Sequence, residues 1–222
     1  MDKRTQKVIL KIILPVLLLV LVGSAWNVGS RRFWQVVRLE PALRRGIAAY
    51  AEGRLDQALE RFGQAATIAP DDAVVHYLLA QSLEATGRED EAINHYREAL
   101  RLNARLPEAH YNLAVIHRRR REHSAAMAET RRALLINPDF TGARLLLGGL
   151  HLEADDFAAA ALELNKLVLP KLPRDKAIDA HNLLGRAYLG LQNTVQARHH
   201  FSETLRLDHT NQEAGLALEQ LR

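Results

Sequence analysis

The sequence contains no cysteine, which excludes disulfides, thiol nucleophiles, thiolate metal sites and a lipoprotein anchor built on a lipobox cysteine. It leaves the compartment open, since a thiol-free chain is compatible with an oxidising exterior without requiring one. Motifs of chemistry are missing too. There is no nucleophile elbow, no phosphate-cradling glycine-rich loop and no zinc-protease helix, and the one Gly-Gly pair, Gly148-Gly149, falls inside a predicted helix. Tryptophan occurs twice only, at Trp26 and Trp34, both near the N-terminus. These absences set the expectation of a chain without catalysis, cofactor, metal or small-molecule substrate.

Basic charge is concentrated rather than general. The sequence pI is near 9.6, which by itself suggests nucleic acid. Of 30 Lys and Arg and 26 Asp and Glu, however, nine and two lie in residues 1–45, leaving 21 and 24 in residues 46–222. That remainder, at −3, has the wrong sign for a general polyanion binder, so no nucleic-acid partner is expected. The N-terminal excess suits anionic lipid headgroups instead.

What the chain has in abundance is a period. Ala58, Ala92, Ala126 and Ala160 follow one another at 34-residue steps. Counting each unit from Leu39, the eighth position reads Gly46, Ala80, Ala114 and Gly148, and the seventh reads Leu79, Leu113 and Leu147. Phe62 and Tyr96 stand four residues after their alanines, and Ala65, Ala99 and Ala133 three further on, while Pro70 and Pro138 close the first and third units. A fifth copy, Leu184-Gly185, Tyr188, Ala197 and Phe201, arrives three residues late. The extra residues fall in 167–176, where Pro170 and Pro173 forbid a continuous helix and predict a longer loop. Residues 212–222 read as an amphipathic capping helix. Small residues at the eighth and twentieth positions let two antiparallel helices approach closely, and the aromatic fills the wedge between neighbouring pairs.

This frame resembles the tetratricopeptide repeat, in which a large residue, Leu-Gly and Tyr mark a first helix, Ala-x3-Phe a second, and Pro the exit. The resemblance covers residues 39–222. It implies an all-α fold, a right-handed superhelix (α-solenoid) of about five helix-turn-helix repeats at 39–72, 73–106, 107–140, 141–177 and 178–211, whose first helices line a peptide-binding or protein-binding groove. The chain departs from the pattern locally: the large fourth position is Ala42, His76, His110, Arg144 and His181, and Ala104 replaces an exit Pro.

The first forty residues add a second theme. A short basic tail, 1–7, precedes an apolar stretch long enough at 8–28 to span a bilayer, given the roughly 20 residues required, with Lys11 snorkelling. Trp26, near the end of that stretch, and Arg31, Arg32, Phe33 and Trp34, in a juxtamembrane segment at 29–38, match the amphipathic residues that sit at a membrane interface. Gly23 and Ala25 are spaced as a signal peptidase requires, so a cleaved signal peptide is the alternative, but Arg31-Arg32 close behind would hinder export. The expectation is an uncleaved transmembrane helix, single-pass in a bacterial inner membrane, with the repeats on the periplasmic side. The flanking positive charge is nearly balanced and leaves the cytoplasmic orientation open.

Carrying the family's ligand-facing first-helix positions onto this sequence gives a candidate partner groove of Tyr77, Gln81, Tyr111, Val115, Arg118, Arg119, Leu145, Leu152, Asn182 and Arg186. Aromatics beside Arg are common interface anchors; the same residues could also serve only to cover an inner wall. The chain does not reproduce a clamp for chaperone C-termini, since Tyr77 and Gln81 stand where Lys and Asn are wanted and Gly142 and Leu146 replace the basic pair, although Asn112 fits. Arg118 to Arg121 form the densest charge, where a first helix ends; they either compensate the helix C-terminus or hold an acidic partner segment. The histidines recur at repeat positions, His76, His110 and His181 at the fourth and His117 and His151 at the eleventh, so packing explains them. His199-His200 with His209 is the residual metal candidate. Together these readings predict a membrane-anchored scaffold that binds a protein partner through the groove, and membrane lipid through its N-terminal helix, in support of a membrane or envelope complex. The alternatives are an assembly chaperone for exported proteins and a structural subunit of a secretion, polysaccharide-export or respiratory complex.

Overall fold

The computed structural model describes residues 39–167 and 169–221. The span expected at 8–28 and its flanking residues Trp26, Arg31, Arg32, Phe33 and Trp34 lie outside them. No helix among the described residues is long and apolar enough to cross a bilayer.

The described residues are all-α. Helix α1 covers residues 39–51 and is followed by α2 (Leu55–Ile68), α3 (Ala73–Ala85), α4 (Glu89–Leu102), α5 (Pro107–Arg119), α6 (His123–Ile136), α7 (Thr141–Glu153) and α8 (Phe157–Leu164). After a 3-10 turn at Leu169–Lys171 come α9 (Arg174–Gly190), α10 (Thr194–Leu207) and α11 (Gln212–Gln220). Two compact units divide at His95 and Tyr96. In the second unit each helix packs on the next, and the first helices α5, α7 and α9 also pack side by side.

Within each repeat the turn is set by one left-handed residue. Gly53, Gly87, Arg121, Asp155 and Gln192 have φ of 74°, 78°, 61°, 55° and 58°, and they keep the 34-residue step, with 37 before the last. The following N–H reaches back to the helix in every case: Arg54 to Ala49, Arg88 to Leu83, Glu122 to His117, Asp156 to His151 and Asn193 to Tyr188, at 2.8–2.9 Å. This is the Schellman closure, which satisfies the last carbonyls of a helix and suits glycine at the left-handed position. At several helix N-termini, side chains do the capping. Asp72 accepts from the Val74 and Val75 N–H groups, Asn193 from Gln196 and Asn211 from Ala214. Asp208 accepts from the hydroxyl and the N–H of Thr210 at 2.6 and 3.0 Å, and these bonds hold its carboxyl below the usual carboxylate range.

The twentieth position is fully buried in all five repeats, as Ala58, Ala92, Ala126, Ala160 and Ala197. Also fully buried is a position not singled out by the family frame, occupied by Val75, Ala109, Ala143 and Ala180 in the second to fifth repeats and by Ala214 in α11. The eighth position owes its smallness to a contact within its own helix pair. A Cβ on Gly46 would lie 2.6 Å from the Phe62 ring, on Gly148 2.6 Å from Leu164, and on Gly185 2.7 Å from the Phe201 ring. The large residue sixteen positions on thus presses against the first helix of its own repeat; Phe201 also packs with Ala214 of α11, which supplies the wedge between neighbours.

The insertion takes a different form from a simple longer loop. Helix α8 has 8 residues where α2, α4, α6 and α10 have 14, and α9 has 17 where α3, α5 and α7 have 13. Pro173 has φ −53° and ψ 148° at the N-cap, so the helix starts directly behind it, and residues 174–176 of the expected loop are helical. Proline tolerates this place because a first-turn N–H needs no intrahelical acceptor. Leu167, Leu169 and Leu172 fold back onto Leu145, Leu164, Ala180 and Leu184 and replace the missing second-helix surface.

Candidate functional site

In the second unit the parallel first helices α5, α7 and α9 present one face, and a cavity of about 380 Å³ opens on it. Five of the sequence-predicted groove residues line it: Tyr111, Val115, Arg118, Leu145 and Asn182. They are joined by Leu146, Gly149 and Leu183 and, at the α9 N-terminal end, by Lys176 and Asp179. Leu145 is 8% exposed and belongs to the wall. Tyr111 is half-buried, with its ring 5.1 Å from that of Phe140 at 45°. A Cβ on Gly142 would stand 3.3 Å from Phe140 and 3.5 Å from Tyr111, so Gly142 lets the two rings close over α7.

Gly149 contributes by what it lacks. It is buried within α7, yet a Cβ there would meet nothing within 4 Å. Glycine inside a helix costs about 1 kcal/mol relative to alanine, and no neighbouring protein atom requires it here. The contrast with Gly148, filled by Leu164, is direct. Absence of a side chain at 149 keeps the cavity floor at backbone level.

The polar groups around the cavity are largely committed. Arg118 donates from Nε to Glu153 at 2.7 Å, and His123 lies 3.3 Å from the same carboxylate. Lys176 stands 3.7 Å from Asp175 and from Asp179. Asn182 donates to Glu213 of α11 at 2.7 Å, while its Oδ1 is buried with no partner. That oxygen is screened from solvent, and buried polar atoms left unpaired are uncommon. Asn112, the residue that matched the clamp position, donates to the Tyr96 hydroxyl at 3.0 Å and is occupied.

The remaining predicted residues go elsewhere. Leu152, 6% exposed, and Arg186 line a second cavity of about 490 Å³ with Phe157, Leu189, Phe201 and Leu216, and Arg186 pairs with Glu213 at 3.5 Å. Tyr77 and Gln81 lie in the first unit, where Gln81 donates to the Tyr77 hydroxyl at 2.9 Å. Arg119 is exposed and lines neither cavity. Of the arginine run, Arg120 is the C-cap of α5 and Arg121 is the left-handed turn residue, so these two serve the turn.

The fourth-position residues do more than pack. The four that are polar each meet the side chain nineteen residues on, across the helix pair: His76 Nδ1 lies 3.0 Å from His95 Nδ1, His110 Nδ1 2.6 Å from Glu129, Arg144 3.1 Å from Glu163, and His181 Nδ1 3.0 Å from His200 Nδ1. His76 Nε2 also meets the Pro70 carbonyl at 2.8 Å, and Arg144 donates to the Pro138 carbonyl. Burial alone would push the Glu129 carboxyl up, but the bond to His110 and the charges of Arg132 and His110 outweigh it and hold it below its usual range. These rungs were readable as a 34-step on one side only; the nineteen-residue partners vary in type and carry no periodic signal. Among the described residues no three side chains converge as metal ligands, His199, His200 and His209 included.

Paired antiparallel helices in 34-residue steps, with buried small residues at fixed positions, define a helical-repeat protein. Family models of the tetratricopeptide repeat match residues 49–94 and 85–120, so that part of the chain carries tetratricopeptide repeats. No curated protein matches it. Among solved structures it is similar in fold to pilF of Pseudomonas aeruginosa (18% identity, 84% of each chain covered, TM-score 0.73). It is likewise similar to MamA (21%, 78% of this chain and 92% of that one, 0.65) and to YrrB, described as a TPR protein with an unusual peptide-binding site (18%, 81% and 91%, 0.66).

Proposed function

We propose that this chain is a membrane-anchored interaction scaffold, held in a bacterial inner membrane by residues 8–28. It binds one protein partner through the face formed by α5, α7 and α9 and supports assembly of a membrane or envelope complex. The observation that carries the proposal is the cavity floored by Gly149. A surface at backbone level, with the half-buried Tyr111 ring on one wall and the polar side chains of Arg118, Lys176, Asp179 and Asn182 around it, fits a peptide segment that inserts a side chain. Pocket-centred aromatics dominate binding energies, so Tyr111 is the expected anchor. Neither catalysis nor a small-molecule substrate enters this reading. The peptide-binding site reported for YrrB is consistent with it.

The test is site-specific photo-crosslinking of the full-length protein in cells. A crosslinker at Val115 should capture one defined partner, while the same group at Leu135, 84% exposed on α6, should not. Capture at Leu135 alone would overturn the assignment of this face.

A further inference from the structure

Rungs of one geometry hold three helix pairs of the second unit, but with different chemistry: His110 with Glu129, Arg144 with Glu163, and His181 with His200. In the first two a carboxylate accepts, and protonation of the donor strengthens the bond rather than opposing it. The third rung has two imidazoles whose Nδ1 atoms face each other at 3.0 Å, with His181 and His200 8% and 6% exposed. One Nδ1 must donate and the other accept. A single proton can be added and shared; a second puts N–H against N–H and two like charges in contact, away from water. We infer that the His181–His200 rung is an acid-released joint between α9 and α10, and that it governs the α9 wall of the candidate groove.

The surroundings set the direction. From α10, His199 lies edge-on to His200 with ring centroids 5.1 Å apart, and Glu203 and Arg206 pair with each other at 2.8 Å. From α9, the Tyr188 ring stacks on His200 at 5.5 Å and 4°, and its hydroxyl accepts from Asn165, just beyond α8. Arg174 lines the same side cavity as His181, His199, Glu203 and Arg206, together with the apolar Leu169, Pro170 and Leu172. Helix α11 brings apolar side chains to Tyr188. Glu203 and the Tyr188 face favour a cation; burial and the neighbouring histidines oppose it and prevail. Burial holds His181 below the ordinary imidazole value, and burial together with the charge of His181 takes His200 down to about 4. The unfolded chain, with imidazoles near 6.5, therefore binds more protons, so the joint is intact above about pH 6.5 and weakens as pH falls toward 4. Helix α9 bears His181 immediately before Asn182 and Leu183, so release moves the cavity wall. That consequence rests on the groove reading above; the joint itself does not.

Amide exchange of the full-length protein in detergent micelles, corrected for intrinsic rates, tests the joint without any partner. From pH 6.5 to 5 the opening of α9 and α10 should increase about tenfold per pH unit for each proton taken up, while α5 and α6 stay flat. His200→Glu copies the His110–Glu129 rung and should abolish the acid response; Glu129→His copies the terminal rung and should install it in α5 and α6. Equal pH dependence in both helix pairs of the wild type would overturn the inference, as would an unchanged acid response in a folded His200→Glu or Glu129→His protein.

Discussion

Adjacent glycines in α7 have opposite duties, and the difference is measurable. Gly148→Ala places a Cβ 2.6 Å from Leu164, so overpacking of this contact should cost about 1–3 kcal/mol. Gly149→Ala enters open space and should stabilise the helix by up to about 1 kcal/mol. Urea unfolding of the two variants gives the signs, and a loss of stability in Gly149→Ala would show that the cavity floor is already filled. If the cavity binds a side chain, Gly149→Leu should weaken the partner without unfolding the repeat. The left-handed turn residues give a second contrast. Gln192→Gly removes the strain of a side chain at φ 58° and should raise stability by about 0.5–1 kcal/mol, the left-handed penalty less the added chain entropy. Gly53→Ala, at φ 74° with open space around it, should lower it by a similar amount. Melting temperatures decide both.

At the scale of the helix, burial follows the repeat frame closely enough to predict neighbours two residues apart. Ala126 is fully buried against Ala114, Leu146 and Leu150, whereas Ala128 is exposed. Ala126→Leu should cost about 1–3 kcal/mol and Ala128→Leu under about 0.5 kcal/mol; equal melting shifts would contradict this packing of α6 on α7. The link between α5 and α7 is weaker. Arg118 and Glu153 are 47% and 28% exposed, so a double-mutant cycle should return a coupling below about 1 kcal/mol that shrinks with salt. Arg118→Glu would set two carboxylates face to face, and the charge-swapped pair Arg118→Glu with Glu153→Arg separates that local effect from an effect on partner binding. The insertion shows how far sequence reasoning reaches. Its location was legible from Pro170, Pro173 and the three-residue slip, but the division into a short α8 and a long α9 was not, because Pro173 starts a helix as readily as it ends one.

At the scale of the whole molecule, the expected organisation separates a basic, apolar N-terminal stretch from a mildly acidic repeat region. If residues 8–28 anchor the chain, full-length protein should remain in the membrane pellet after high salt and carbonate, and protease added to intact spheroplasts should digest the repeats. A mature N-terminus at Trp26 would overturn the anchor, and protection of the repeats would place them in the cytoplasm.

The sequence alone determined the repeat period, the helix pairs and the buried alanines, because a 34-residue step forces equivalent residues into equivalent places and small size at a close crossing is a requirement that recurs. Five of the candidate groove residues, Tyr111, Val115, Arg118, Leu145 and Asn182, line one cavity. Only the tertiary structure decided what those residues do there. Leu145 forms wall, Arg118 is bound to Glu153 and Asn112 to Tyr96, while Gly149 opens the floor. The partners that decide these outcomes come from other repeats or other helices, with no fixed residue type. The same holds for the rungs: a histidine at the fourth position was visible as a repeat feature, but whether it faces a carboxylate or a second imidazole is settled nineteen residues away, across the helix pair, where charge and hydrogen-bonding sense can differ from repeat to repeat without disturbing the period.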